Sequence, residues 1–431
     1  MSESAFDSRA FRARSTIGVP LAYAAAAVAL GMLVPRLESH FFPDLTAKAS
    51  ASAALALLSA IASGMLPLTG LVFSLAFVMV QFSATAYSPR LVSWFAGSAM
   101  MSHSLGVFTA TFLYALAAIV WVDRGGTGKV PPLTLFVAIA LLLVSVVFIV
   151  LLVEKLAMLQ ISRVLAYAGD QARAVIDRDY APLGPAHTAP DAGARSQELP
   201  PVSQLLVHRG GPAVIQAIDV EHLVALAARE GVVVEVAGAV GDTLIDGMPL
   251  VSVRGGGRPL GERSLRRLVK LGAERTFEQD PKYAVRLLVD IAIRALSPAV
   301  NDPTTAVQAL DQLEDLLLRL GRRNLAAGRA CDAQGRLRLV FPVPSWDDFL
   351  VLAFDEIRYY GASSIQVMRR MRALLLDLMA SVPTERLASL ERYLERVDSG
   401  IRSTFEDGAD RKDALERDRQ GLGLSRVQRE A

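Results

Sequence analysis

Between residues 275 and 305 the chain gathers Arg275, Gln279, Asp280, Asp290, Arg294, Asn301, Asp302, Thr304 and Thr305, its densest set of polar side chains with chemistry to offer. One reading is a pocket in which the arginines hold a phosphate or carboxylate beside a helix N-terminus, where unpaired backbone N–H groups favour an anion. The other is an ion-pair and capping network that fixes the turn between two helices. The order Asp302-Pro303 favours capping, because aspartate suits the residue before a helix and proline the first residue within it. Carboxylates and arginines without a histidine give no basis for catalysis. The chain also lacks a metalloprotease His-Glu-x-x-His, a nucleophile elbow, a phosphate-binding loop and a dinucleotide fingerprint. Arg254-Gly-Gly-Gly-Arg258 has no such frame around it and reads as a flexible hairpin exit. We therefore expect no enzyme. With one cysteine, Cys331, and five scattered histidines, neither a disulfide framework nor a metal centre is expected.

A second polar series lies in an apolar setting. Pro67, Ser74, Gln81 and Ser88 recur every seven residues, so a helix would align them on one face with Thr85 beside them and Arg90 just beyond. Ser74, Gln81, Thr85, Ser88 and Arg90 are therefore candidates for a bundle interior, a subunit interface or a pore, with packing the simpler reading. His103 reads as an interfacial residue rather than a proton relay.

The elements that must position these residues divide by solvent. The 431 residues are 52% hydrophobic and 20% charged, with a mean hydropathy of +0.36. Within residues 1–153 the only acids are Glu3, Asp7, Glu38, Asp44 and Asp123, whereas the remainder is densely charged. The spacing predicts four membrane helices, within 15–35, 49–89, 102–122 and 133–153. The second, uncharged for about 60 Å of helix, must protrude, tilt or bend near Gly64, Pro67 and Gly70. Arg9, Arg12 and Arg14 before the first span, and Lys155, Arg163, Arg173 and Arg178 after the fourth, put both termini in the cytoplasm of a cell whose inner (plasma) membrane holds the chain. A net charge of +2 gives no reason to expect nucleic acid as a partner.

We divide the chain into a transmembrane domain over 1–160, a cytoplasmic connector and linker over 161–201, a small β-rich module over 202–260, a helical cytoplasmic domain over 261–400 and a charged tail over 401–431. Short β-rich runs at 202–207, 213–218, 232–236 and 250–253 flank a helix at 220–229. Val240-Gly-Asp with Gly247-x-Pro-Leu250 resembles the turn-strand-turn of biotinyl and lipoyl carriers. No lysine lies between Arg229 and Lys270, so a small β-barrel or sandwich without cofactor is expected. Helices follow at 282–296, from Asp302 to about 320, from Ser345 to Gly361 and from Thr384 onward. Trp346, Phe349, Tyr359 and Tyr360 are expected to pack. The last 30 or so residues read as a frayed helix or disordered tail.

The run Glu274-Arg-Thr-Phe-Glu-Gln-Asp-Pro281, followed by Asp290-Ile-Ala-Ile-Arg-Ala-Leu-Ser-Pro-Ala-Val-Asn-Asp-Pro-Thr-Thr-Ala306, resembles the signature of a bacterial family of predicted membrane proteins, domain of unknown function 2254. Gln81, Ser88-Pro-Arg90 and Arg358 to Gly361 are similar to that family as well. The resemblance implies four membrane helices with a large cytoplasmic region and no settled activity. The resulting expectation is a homo-oligomeric channel or transport pathway with a cytoplasmic regulatory domain. The alternative is a membrane-anchored scaffold or sensor that binds a small anionic ligand or a protein partner. The bilayer, further copies of the chain and an ion or small anion are the partners these readings need.

Overall fold

The computed structural model describes residues 3–41, 50–86, 99–122, 130–157, 160–183, 199–325 and 328–424. The chain divides into two compact units, Met1–Gln160 and Ile161–Ala431.

Among its described residues the first unit has four helices, α1 (Glu3–Phe41), α2 (Ala51–Ala86), α3 (Ala99–Ile119) and α4 (Pro132–Ala157). Each carries a stretch long and apolar enough to cross a membrane: Gly18–Glu38, Ala51–Ser74, Met100–Ile119 and Pro132–Glu154. Helix α3 packs against α1, α2 and α4 and is the most buried of the four spans. Small residues set the α1–α3 distance, as expected where lipid supplies no hydrophobic drive and backbones must approach closely. A Cβ on Gly31 would sit 2.7 Å from the Ala117 Cβ, and one on Gly106 would sit 2.8 Å from the Tyr23 ring. Polar side chains inside the unit are bonded across helices. The Thr111 and Ser145 hydroxyls lie 2.8 Å apart, so that one donates to the other while the second donates to a carbonyl one turn back in its own helix, 2.9 Å away. Tyr23 Oη meets His103 Nδ1 at 3.2 Å, at the start of α3.

The second unit opens with α5 (Ile161–Asp179) and continues through β1 (Val202–Val207), β2 (Ala213–Ile218), α6 (Val220–Glu230), β3 (Val233–Val236), β4 (Thr243–Leu244) and β5 (Pro249–Arg254). Next come α7 (Glu262–Leu268), β6 (Val269–Gly272), α8 (Pro281–Ala295), α9 (Pro303–Gly321), β7 (Arg329–Cys331) and β8 (Leu337–Val340). The chain then ends in α10 (Trp346–Tyr360), α11 (Ile365–Met379), a 3-10 turn at Thr384–Arg386, α12 (Leu387–Thr404) and α13 (Gly408–Ala414). The strands form two sheets, one ordered β1-β5-β3-β8-β7 and one ordered β4-β2-β6. Among the described residues every strand pairing is antiparallel except β3 with β8, where Val234 lies opposite Leu339. Leu206, Ile215, Leu250, Val269 and Leu339 bring both sheets into one apolar core. The strand module drawn over 202–260 thus takes β6, β7 and β8 from beyond that range. Likewise α5, drawn as connector, buries Val164, Leu165, Ala168, Ala172 and Ile176 and packs on α8 and α9. Most of the linker, 184–198, lies outside the described residues.

Two expectations need correction. The tail is not frayed as far as residue 424: Arg417 and Arg419 both donate to the buried Asp377 of α11, the latter at 2.7 Å, and Arg369 donates to the Asp413 carbonyl. A charge-dense segment folds here because its arginines find an acid that α11 has already buried. The second correction concerns the aromatic residues of α10. Trp346 and Phe349 are buried as expected, but Tyr359 and Tyr360 are 72% and 54% exposed and pack edge to face on each other.

Acid should loosen this unit. Burial works to raise the Asp377 pKa, but Arg419 and Arg417 outweigh it and hold the carboxyl below its ordinary value. Arg286 does the same for Glu356 on α10. A carboxylate whose folded pKa lies below its unfolded one stabilises the fold above the unfolded value, and that contribution is lost as the pH falls through the folded value. The melting temperature should therefore drop between about pH 5 and about pH 3. Asp377→Asn should lower it at neutral pH and flatten part of the acid slope. An unchanged slope in that variant would show that the tail contact contributes nothing.

Candidate functional site

Helix α8 begins at Pro281 because Asp280 caps it, accepting from the Tyr283 backbone N–H at 3.1 Å. The same carboxylate, 2% exposed, receives Arg275 Nε at 2.7 Å and Nη2 at 2.9 Å, and Arg275 lies over the Tyr283 ring. Gly241 closes over this pair with φ of +94°, and a Cβ there would sit 2.4 Å from Asp280 Oδ2. Gln279 acts as a missing strand partner: its Oε1 accepts from the Ile218 N–H at 2.8 Å and its Nε2 donates to the Ile218 carbonyl at 3.2 Å. One turn into α8, Arg286 joins Asp290 at 2.7 Å and reaches Glu356.

At the far end of α8 the chain turns through Ser297, whose carbonyl accepts from the Asn301 N–H at 2.8 Å, and Asn301 takes φ of +48°. Asp302 then caps α9, accepting from the Thr305 N–H at 3.1 Å and the Thr305 hydroxyl at 2.5 Å, with Thr304 exposed in the first turn. Arg294 lies half-buried in the last turn of α8.

The nine polar residues therefore do not converge. Helix α8 has 15 residues, roughly 22 Å of rise, and it separates Arg275, Gln279 and Asp280 from Arg294, Asn301, Asp302, Thr304 and Thr305. At each helix start the position an anion would take is filled by the chain's own aspartate. The membrane candidates part in a similar way. Ser74 and Gln81 lie on exposed surface of α2, because α2 packs through Ala54, Leu58, Ile61, Ala62 and Met65 in its first half. Thr85 lies in α2, but its side chain is outside the described residues, as are Ser88 and Arg90.

What sequence reasoning did not find is a cleft of about 660 Å³ at the N-terminal end of α8. Its walls come from the end of α5, the β2–α6 junction, the α7–β6 junction, residues 278–282 and the segments flanking β7 and following β8. Gln279 and Asp280 are its only members from the predicted cluster. Its apolar lining includes Leu325, Ala330, Phe341, Pro342, Val343 and Pro344; Arg267, Lys270 and Lys282 supply cations, and Tyr180 a phenol. Burial, then the Asp280 and Asp179 carboxylates, push the Tyr180 pKa above its ordinary range, so the group stays a neutral O–H. No group of three or more histidine, cysteine or acidic residues suited to a metal exists among the described residues. A volume of this size matches sites for small organic molecules. Glu38 of α1 also escaped the sequence reading. It is 2% exposed and accepts from the backbone N–H groups of Leu133 (2.7 Å) and Thr134 (3.1 Å) and from the Thr134 hydroxyl (3.0 Å), capping α4 from another helix. The signal available was an acid one turn beyond an uncharged span.

Comparison with known proteins adds a family and no activity. Residues 13–377 match the family described as predicted membrane protein, DUF2254. The chain is 26% identical over 407 residues to an uncharacterized protein of Mycobacterium tuberculosis (strain ATCC 25618 / H37Rv), and equally to one of Mycobacterium bovis. The alignment covers 92% of this chain and 77% of each relative. No solved structure matches.

Proposed function

We propose, for a chain that belongs to the DUF2254 family of predicted membrane proteins, that it is a membrane-anchored sensor whose second unit takes up a small ligand. The cleft at the start of α8 carries this reading: it is a recess of about 660 Å³ lined by apolar side chains together with a few charged and polar ones. The four spans anchor that unit at the inner membrane, and the basic residues before the first span and after the fourth favour both termini in the cytoplasm. The protein binds and relays rather than catalyses. The test is thermal melting of the full chain in lipid nanodiscs with fractions of a small-molecule extract. A fraction that raises the melting temperature, and that loses its effect on Ala217→Trp, which fills the cleft, supports the reading. Stabilisation that survives Ala217→Trp would count against it.

A homo-oligomeric channel is the second reading, favoured by the exposed Ser74 and Gln81 of α2, which a neighbouring copy could cover. The described interior of the first unit is apolar around Leu58, Phe108, Tyr114 and Ala115, so a conduit would run between copies. Ion flux in liposomes that changes in Gln81→Leu without loss of the oligomer would favour the channel; loss of the oligomer with no flux would make the stripe a packing surface.

A further inference from the structure

The charges around the cleft are not evenly satisfied. Among its acids, Asp179 is held by Arg178 at 2.6 Å, Glu278 by Lys270 at 2.5 Å, Asp280 by Arg275 at 2.7 Å and Asp219 by His222 at 2.9 Å, leaving Glu221 on the exposed first turn of α6. One cation is left over and one is held loosely. Arg267 has no ion pair or hydrogen bond with any described residue, and the half-buried Lys282 pairs with Asp242 at 3.8 Å, beyond hydrogen-bond reach. The Tyr180 hydroxyl likewise has no hydrogen-bond partner among the described residues, and its chemistry is that of a neutral donor. Phe341, Pro342 and Pro344 line the same cleft with apolar side chains.

We infer that the cleft is a site for a small organic anion with an apolar body, its acidic headgroup held by Lys282, Arg267 and the Tyr180 hydroxyl and its body laid along Phe341, Pro342 and Pro344. This rests on the reading of the cleft as a ligand site. Two cations and a donor lining one cleft supply charge-assisted hydrogen bonds to an acidic headgroup, the strong kind, in a recess where the paired acids no longer repel an anion at full strength. The apolar wall adds affinity in proportion to the ligand surface it removes from water. Carboxylate and phosphate share this chemistry, and the experiment separates them.

The probes are 4-(trifluoromethyl)benzoate, 4-(trifluoromethyl)phenyl phosphate and, as the cationic control, 4-(trifluoromethyl)benzylamine, observed by fluorine NMR line broadening with the full chain in phosphatidylcholine nanodiscs. We expect one of the two anions to broaden at concentrations that leave the amine sharp. Lys282→Met should weaken that binding about tenfold, Lys282→Arg should restore most of it, and Tyr180→Phe should weaken it about threefold. Melting temperature controls for folding of each variant. An amine that broadens as much as the anions, or anion binding indifferent to both Lys282→Met and Arg267→Met, overturns the inference; if Ala217→Trp still abolishes the broadening, the ligand-site reading survives that failure. Sharp lines for all three probes overturn both.

Discussion

Asp280→Ala should lower the melting temperature of the protein by about 6–12 °C. The side chain is 1% exposed and does two jobs, holding Arg275 through two hydrogen bonds and capping α8. Losing a cap costs about 1 kcal/mol, and removing one partner of a buried ion pair costs about 3–5 kcal/mol when the survivor stays buried. Arg275 is 27% exposed and can partly rehydrate, so the total should come to about 3 kcal/mol, at 2–4 °C for each in a domain of this size class. Asp280→Asn keeps an acceptor for the Tyr283 N–H and should recover about half the loss. A double-mutant cycle with Arg275→Met isolates the pair, because the second substitution should cost little once the first is made. A change under about 1 °C in Asp280→Ala would mean that the pair and the cap are both dispensable, and the capping interpretation of this motif would fall with them.

The other large effect belongs to Glu38. Glu38→Leu strips acceptors from the Leu133 N–H, the Thr134 N–H and the Thr134 hydroxyl, and Thr134 is fully buried. An unsatisfied buried donor costs about 1–3 kcal/mol, and more where the surroundings are hydrocarbon. The loss should be about 3 kcal/mol, seen as earlier unfolding in detergent and lower yield of folded protein from membranes. Glu38→Gln keeps one acceptor oxygen and should fall between the two. If Glu38→Leu melts with the wild type, α4 does not depend on a cap from α1.

Both residues show what kind of information a sequence carries openly. The helix starts at Asp302-Pro303 and at Ser345 with Asp348 were legible because a cap is written within four residues of itself, and the structure has both, the second as a reciprocal capping box. Asp280-Pro281 carries the same signature and was passed over. The strands at 202–207 and 213–218 were legible through their flanking turns. The four spans were legible from apolar length. The cleft was not, since its walls come from segments scattered between Asp179 and Pro344 and no one segment looks like a site. Glu38 was missed for the same reason: its partners lie some 95 residues away. The polar run 275–305 misled in the opposite direction, because closeness in sequence was spread by helix α8 over two ends of a rod.

The parallel pairing of β3 with β8 sets a condition on biosynthesis. Val234 and Glu235 wait for Leu339 and Val340, and α8 and α9 lie between them in the chain. On a ribosome adding about 5–20 residues per second, the five-stranded sheet stays open for about 5–20 s after β3 emerges, with one edge of its central strand unpaired. By then all four spans have left the ribosome, so the nascent second unit is already tethered at a membrane while its sheet is incomplete. Until β8 arrives, β3 offers an open hydrogen-bonding edge to any other chain within reach, the pairing that the finished sheet forecloses.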